Sequence, residues 1–291
     1  MKKKFKITDF PELFKKTATS WYDSEPFRLS AIIAYYSILS LPAFIIIILN
    51  VVGSIWGQDI VQGELLDEIT KALGPDTAES IRLMILERGS ASTSSFTTVI
   101  GIATLIYGST GVFFQLQSAF DKIWEAESRF KNGIISIIVS RVKSFGFILI
   151  LGFLLLVSLI LTSLLSAFSR QLEHLLPENL FESVFIFDII MSLIIIYVIF
   201  GAMFKFLPSV TVPWKSVRVG AAVTTILFLL GKYLLAFYFR EMQPGSTYGA
   251  AGSIILIMLW VSYTSLILFF GAQFTKVYSD FYIKNNASET A

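Results

Sequence analysis

Apolar residues fall along this chain in long blocks, without the three-to-four-residue rhythm of a soluble amphipathic helix or the alternation of a strand. The clearest block runs from Thr247 to Gln273 and contains no charged residue. About twenty apolar residues, each rising about 1.5 Å, cross a bilayer core of roughly 30 Å. Similar blocks lie at about 29–56, 96–120, 142–168, 184–207 and 217–239, and the last, 247–275, begins at Thr247. The pattern predicts an all-α integral membrane protein with six transmembrane helices in a domain spanning 29–280.

Between the first and second blocks the rhythm changes. Ile60, Leu65, Ile69 and Leu73 have helical spacing, and Gly74-Pro75 stop that helix. Asp76 with Glu79 resembles a capping box and opens a second helix carrying Ile81, Met84 and Ile85. Residues 58–95 are therefore expected to form a two-helix extracytoplasmic segment packed on the bundle or at the interface. Residues 1–28 interleave lysines with Phe10, Leu13, Phe14 and Trp21. They read either as an interfacial amphipathic helix on an anionic leaflet or as a solvated basic tail. Residues 281–291 read as a polar tail.

The blocks differ among themselves. The first contains Pro42, which frees a backbone carbonyl. The second is rich in small and polar residues, among them Gly101, Gly108, Gly111, Gln115 and Gln117, and is expected to be central. Asp121 and Trp124 follow it as anchors. The third is almost wholly apolar and is expected to face lipid. Residues 169–183 read as a short loop. Pro208, Pro213 and Trp214 mark a tight, semi-rigid connection between the fourth and fifth blocks.

Composition agrees with a lipid-solvated chain. It is 55% hydrophobic and 15% charged, against about 25% charged in a soluble domain. The net charge of +2 is small and says nothing about nucleic acid in bulk; no nucleic-acid partner is expected. The expected partner is the lipid bilayer, with anionic lipids at the N-terminal segment. No cysteine is present, and His174 is the lone histidine. Thiolate chemistry, multi-histidine metal centres and most histidine catalysis are excluded. No P-loop, HExxH or GxSxG motif occurs. No catalytic residue, metal or cofactor is assigned, and the chain is not expected to be an enzyme.

Of the 23 Lys and Arg residues, 17 lie on the side of the termini and of the 121–143 and 205–218 connections, five on the other side, and Lys232 within a block. The positive-inside rule places both termini in the cytoplasm.

Polar groups at membrane depth are the candidates for function. Lys232 faces a cavity, pairs with Asp188, or snorkels to the outer interface. Gln115, Gln117 and Gln273 either line a polar pathway or bridge helices. Asn50 offers a hydrogen bond late in the first block. Tyr35, Tyr36 and Tyr248 offer hydroxyls to a ligand or a neighbouring helix.

Several segments together resemble one known family. They are Tyr35-Tyr36-Ser37 with Pro42, then Gly101 through Gly111 to Trp124, then Leu207-Pro208 with Pro213-Trp214 and Gly220. Tyr248-Gly249, Trp260 and Gly271-Ala272-Gln273 complete the set. Their order and spacing over about 25–280 are similar to the YihY / virulence factor BrkB family of bacterial inner-membrane proteins, once also called ribonuclease BN. The resemblance implies six membrane helices with cytoplasmic termini and a role in moving lipids or other amphiphiles. That family commonly carries Gly-Ala-Glu where this chain has Gln273, which puts a proton-coupled role in doubt. The residues for RNA hydrolysis are missing, so the ribonuclease label does not transfer. A transporter or lipid-handling protein is the leading expectation; a scaffold recruiting envelope partners through 58–95 is the other.

Overall fold

The computed structural model describes residues 9–51, 57–90, 108, 111–126, 178–242, 244 and 252–284. The third expected block lies outside these residues, as do Tyr248, Gly249 and most of the second block. Among the described residues the backbone is helical apart from turns and bends, with no strand.

Helix α1 spans Phe10–Asp23, with a proline in its first turn and Glu12 beside its positive end. It stops at Ser24, whose Oγ donates to the Trp21 carbonyl at 2.7 Å. It does not lie alone on a leaflet. Leu13 and Thr17 are buried, and Leu13 packs with Phe274 and Tyr282 at the far end of the chain. Tyr282 Oη also donates to Asp9 Oδ2 at 2.7 Å.

Helix α2 spans Pro26–Val51 and runs on through Pro42. Helices α3 (Gln58–Leu73) and α4 (Pro75–Ser90) form the expected pair. Their joint, Gly74, has φ 91°, a conformation that costs glycine little. Ile81, Leu65, Leu66 and Ile69 pack with Phe239, Leu256 and Ile257. The pair therefore belongs to the helical bundle, as amphipathic spacing requires.

Residues 111–123 form helix α5. Helix α6 spans Glu178–Phe206. Residues 178–183, read from the sequence as loop, are thus helical: Pro177 stands just before the first helical residue, and nothing after it interrupts the helix. Helices α7 (Trp214–Met242) and α8 (Gly252–Ser279) follow, and Asp280–Lys284 continues α8 as a π-helical turn. That turn packs Phe281 and Tyr282 against the α1 cluster, so the folded unit reaches past residue 280.

α8 is the central element, with α2, α7 and α1 packed around it and α6 on the outside of α7. The main core joins Phe120 and Ile123 of α5, Phe200 and Phe204 of α6, Val217 and Ala221 of α7, and Leu268, Phe269 and Ala272 of α8.

Two helices, Trp214–Met242 and Gly252–Tyr282, are long and apolar enough to cross a membrane, and α2 and α6 contain shorter apolar stretches. The described residues thus form an all-helical protein suited to a membrane, while the count of six spans rests on the sequence pattern. A second feature agrees. Ile226, Leu230, Tyr233, Leu234 and Phe237 are exposed along one face of α7, and Ile190, Ile194 and Val198 along one face of α6. Contiguous apolar faces of this length are costly in water and natural in lipid.

Candidate functional site

The site is built on the crossing of α7 and α8. A Cβ added at Gly220 would fall on the Thr275 side chain, and one added at Gly271 would fall on Thr224. Both threonines are buried, and each turns its hydroxyl back to the helix: Thr224 Oγ1 donates to the Gly220 carbonyl and Thr275 Oγ1 to the Gly271 carbonyl, both at 2.7 Å. Two Gly-x-x-x-Thr repeats thus face each other in antiparallel register. Small residues let membrane helices approach closely, and the hydroxyls satisfy themselves without a partner helix. Farther along, Gly231 receives the ring and hydroxyl of Tyr263.

Lys232 follows directly after that contact. It is half-buried, on the same helical stripe as Ala221, Thr225 and Phe228, between the α8 contact and the exposed Tyr233 and Leu234. It has no acidic partner among the described residues. Asp188 and Asn50 stand on α6 and α2, but their side chains, like that of Pro42, lie outside the described residues. The Lys232–Asp188 pair expected from the sequence therefore stays outside them too.

Gln273 is 5% exposed and sits between the two glycine–threonine contacts. Gln115 is half-buried in α5. Gln117 bridges elements: its Nε2 lies 3.5 Å from Ser209 Oγ.

At the end of the bundle where α5 and α6 stop, polar contacts gather on the last turn of α5. Asp121 accepts from the Ser209 N–H at 2.7 Å and from its hydroxyl at 2.8 Å. Lys122 donates to Glu25 Oε2 at 3.0 Å and to the Ser24 carbonyl at 3.3 Å. Lys276 reaches Glu125 Oε1 at 2.6 Å. One helical turn thus ties the 207–213 connection, the α1–α2 turn and α8 together. The Lys122 ammonium and then Arg28 hold the Glu25 carboxyl below the usual carboxylate range. Glu125 occupies the left-handed position that ends α5, with φ 50°. There the Ala126 N–H bonds the Asp121 carbonyl at 2.9 Å and the Glu125 N–H bonds the Lys122 carbonyl at 3.2 Å. Sequence reasoning marked Asp121 as an anchor but missed Ser209, Lys122, Glu125 and Lys276. The repeated Gly-x-x-x-Thr spacing was a readable signal for the helix crossing.

The residues that carry the resemblance are mostly packing residues. The Tyr36 ring lies where a Cβ on Gly111 would stand, while Gly108 meets the Ser40 backbone. The Ser37 carbonyl accepts from Ser40 Oγ at 3.0 Å, and Tyr35 is exposed, edge-on to Tyr36. Trp124 is buried in the main core and Trp260 packs in the α4 cluster. The Pro213 carbonyl receives the Ser216 and Val217 N–H groups and so starts α7. Lys205 donates to the Val212 carbonyl at 2.6 Å and lies 5.3 Å over the Trp214 ring. Pro208 is buried in the same connection. Among the described residues, no group of three His, Cys, Asp or Glu is placed to hold a metal ion.

A ribonuclease-like protein, YfkH of Bacillus subtilis, is 26% identical over 256 residues, 84% of this chain and 86% of that protein. A UPF0761 membrane protein of Cronobacter sakazakii is 27% identical over 261 residues, 87% of this chain and 83% of its own. Another from Pseudoalteromonas atlantica is 25% identical over 253 residues, 86% and 80% of the two chains. No solved structure matches. The model of the Virulence factor BrkB family matches residues 18–290, which is nearly the whole chain, and with its lipid-suited helices this membrane protein belongs to that family.

Proposed function

We propose that the protein is a six-span, non-enzymatic protein of the bacterial cytoplasmic membrane, with both termini in the cytoplasm, that moves or handles a lipid or another amphiphile. Lys232 carries this reading. It lies about eight residues, or roughly 12 Å, inside the Arg240 end of α7. A lysine at such depth is costly unless it meets water, a counter-charge or a ligand. Its position beside a rigid crossing and half out of the lipid-facing stripe suits an amphiphile whose head meets the cation while its tail stays in lipid. The charge distribution supports the orientation. No nucleic-acid partner or cofactor enters this reading, and the word ribonuclease in one relative's name is left with that relative.

The test uses single cysteines placed at 115, 232 and 273 in this cysteine-free chain. In membrane vesicles, position 232 should react with a water-soluble maleimide and be protected by added lipid. If none of the three positions ever reacts, the polar route fails.

A further inference from the structure

We propose that the first turn of α7, with the connection before it, is a binding site for one anionic phospholipid. Its phosphate lies between Lys215 and Arg218, and its acyl chains lie along the exposed stripe of α7. The inference rests on the membrane placement of α7 and not on any transport role.

Four observations lead there. Lys215 and Arg218 are both exposed, one turn apart on the same face. Neither meets a carboxylate among the described residues. No Asp or Glu occurs anywhere between Asp188 and Glu241, and the first turn of α7 holds no acid. Two cations at the positive end of a helix repel its dipole, so the turn is set up for an anion from outside.

Trp214 and Phe206 stand beside these cations, 52% and 57% exposed, with their rings edge-to-face at 6.3 Å. An exposed aromatic pair next to uncompensated cations matches the boundary between headgroups and acyl chains. Lys205 is held under Trp214 and tied to the Val212 carbonyl, so the indole is braced from within.

The same face continues without a break into Ala222, Ile226, Leu230 and Tyr233, all exposed. It ends at Arg240, 22 residues beyond Arg218, or about 33 Å along a helix. That length matches a bilayer core of roughly 30 Å. A headgroup at Arg218 therefore has its chains directed onto an apolar stripe made for them. The charge selects an anionic lipid over a zwitterionic one, and the stripe selects a lipid over a free anion.

The test is native mass spectrometry and thermal unfolding of the full chain in phosphatidylcholine nanodiscs with and without phosphatidylglycerol. The wild type should retain phosphatidylglycerol through delipidation and unfold later in its presence. Lys215→Gln with Arg218→Gln should weaken that retention by roughly tenfold to thirtyfold, as expected for two interfacial cations. Arg240→Gln, at the other end of the stripe, should leave it unchanged. Equal retention by the double variant and the wild type overturns the proposal. So does full displacement of the lipid by millimolar inorganic phosphate, which would mark a plain anion site. A disulfide-linked dimer formed by Ile226→Cys, with no lipid retained, would overturn it in favour of a second copy on the stripe.

Discussion

Thr224 and Gly271 share one space: the threonine side chain fills the position that a Cβ on Gly271 would take. The reverse pair, Thr275 and Gly220, repeats the arrangement one turn away. Each helix gives one glycine and one threonine, so neither can change alone without pushing its neighbour.

Gly271→Ala and Gly220→Ala should each destabilise the protein by about 1–3 kcal/mol, the usual effect of overpacking. Adding Thr224→Ala to the first, or Thr275→Ala to the second, should recover part of the loss. Unfolding in detergent with circular dichroism measures both. Plain additivity of the paired changes would show that the crossing does not couple them.

Asp121→Ala removes both acceptors of Ser209 and leaves its N–H in a half-buried site. The expected loss is about 1–3 kcal/mol. Limited proteolysis should then cut within 207–213 faster than in the wild type. Asp121→Asn, which keeps one acceptor oxygen, should fall between them. Unchanged cleavage in Asp121→Ala would show that the contact does not hold the connection.

Glu25 should impose a pH dependence of known sign. Its folded carboxyl is held below the ordinary value by Lys122 first and Arg28 second. Its contribution is therefore present above the ordinary carboxylate range and lost as pH falls through the depressed folded value. The unfolding temperature of Glu25→Gln should approach that of the wild type as the medium is acidified. A constant gap at every pH would mean that the ion pair plays no part.

Gln273→Glu places a carboxyl in a site that is 5% exposed. A charged carboxylate buried there without a partner costs stability, and a neutral carboxyl costs far less. The variant should match the wild type in acid and lose stability as pH rises past the ordinary glutamate value. A pH-independent stability equal to the wild type would show that the glutamate finds a counter-charge.

Much of the fold was legible because lipid leaves a coarse signal. A span needs only length and apolarity, so α6, α7 and α8 show in the hydrophobic blocks, and the α3–α4 pair shows in helical spacing with Gly74-Pro75 between. Helix ends were less visible: Glu178 to Ser183 look like loop by polarity, yet Pro177 was the better guide to where α6 begins. The site was least legible, because its contacts join distant parts of the chain. Asp121 and Ser209 are 88 positions apart, and Tyr282 and Asp9 are 273 apart. Nothing local in either partner names the other. Lys232 stands out as a candidate because a charge inside an apolar block is conspicuous, whereas Lys122 and Glu125 look like any charged loop.

The docking of α1 against the end of α8 has a consequence for how the protein is made. Leu13 leaves the ribosome 261 residues ahead of its partner Phe274. At about 5–20 residues per second, on the order of 10–50 s separate them. Through that interval Leu13 lacks Phe274 and Tyr282, the two buried residues that share its cluster. Docking of α1 therefore waits for the end of α8, and a truncation just before Phe274 leaves Leu13 without that seat.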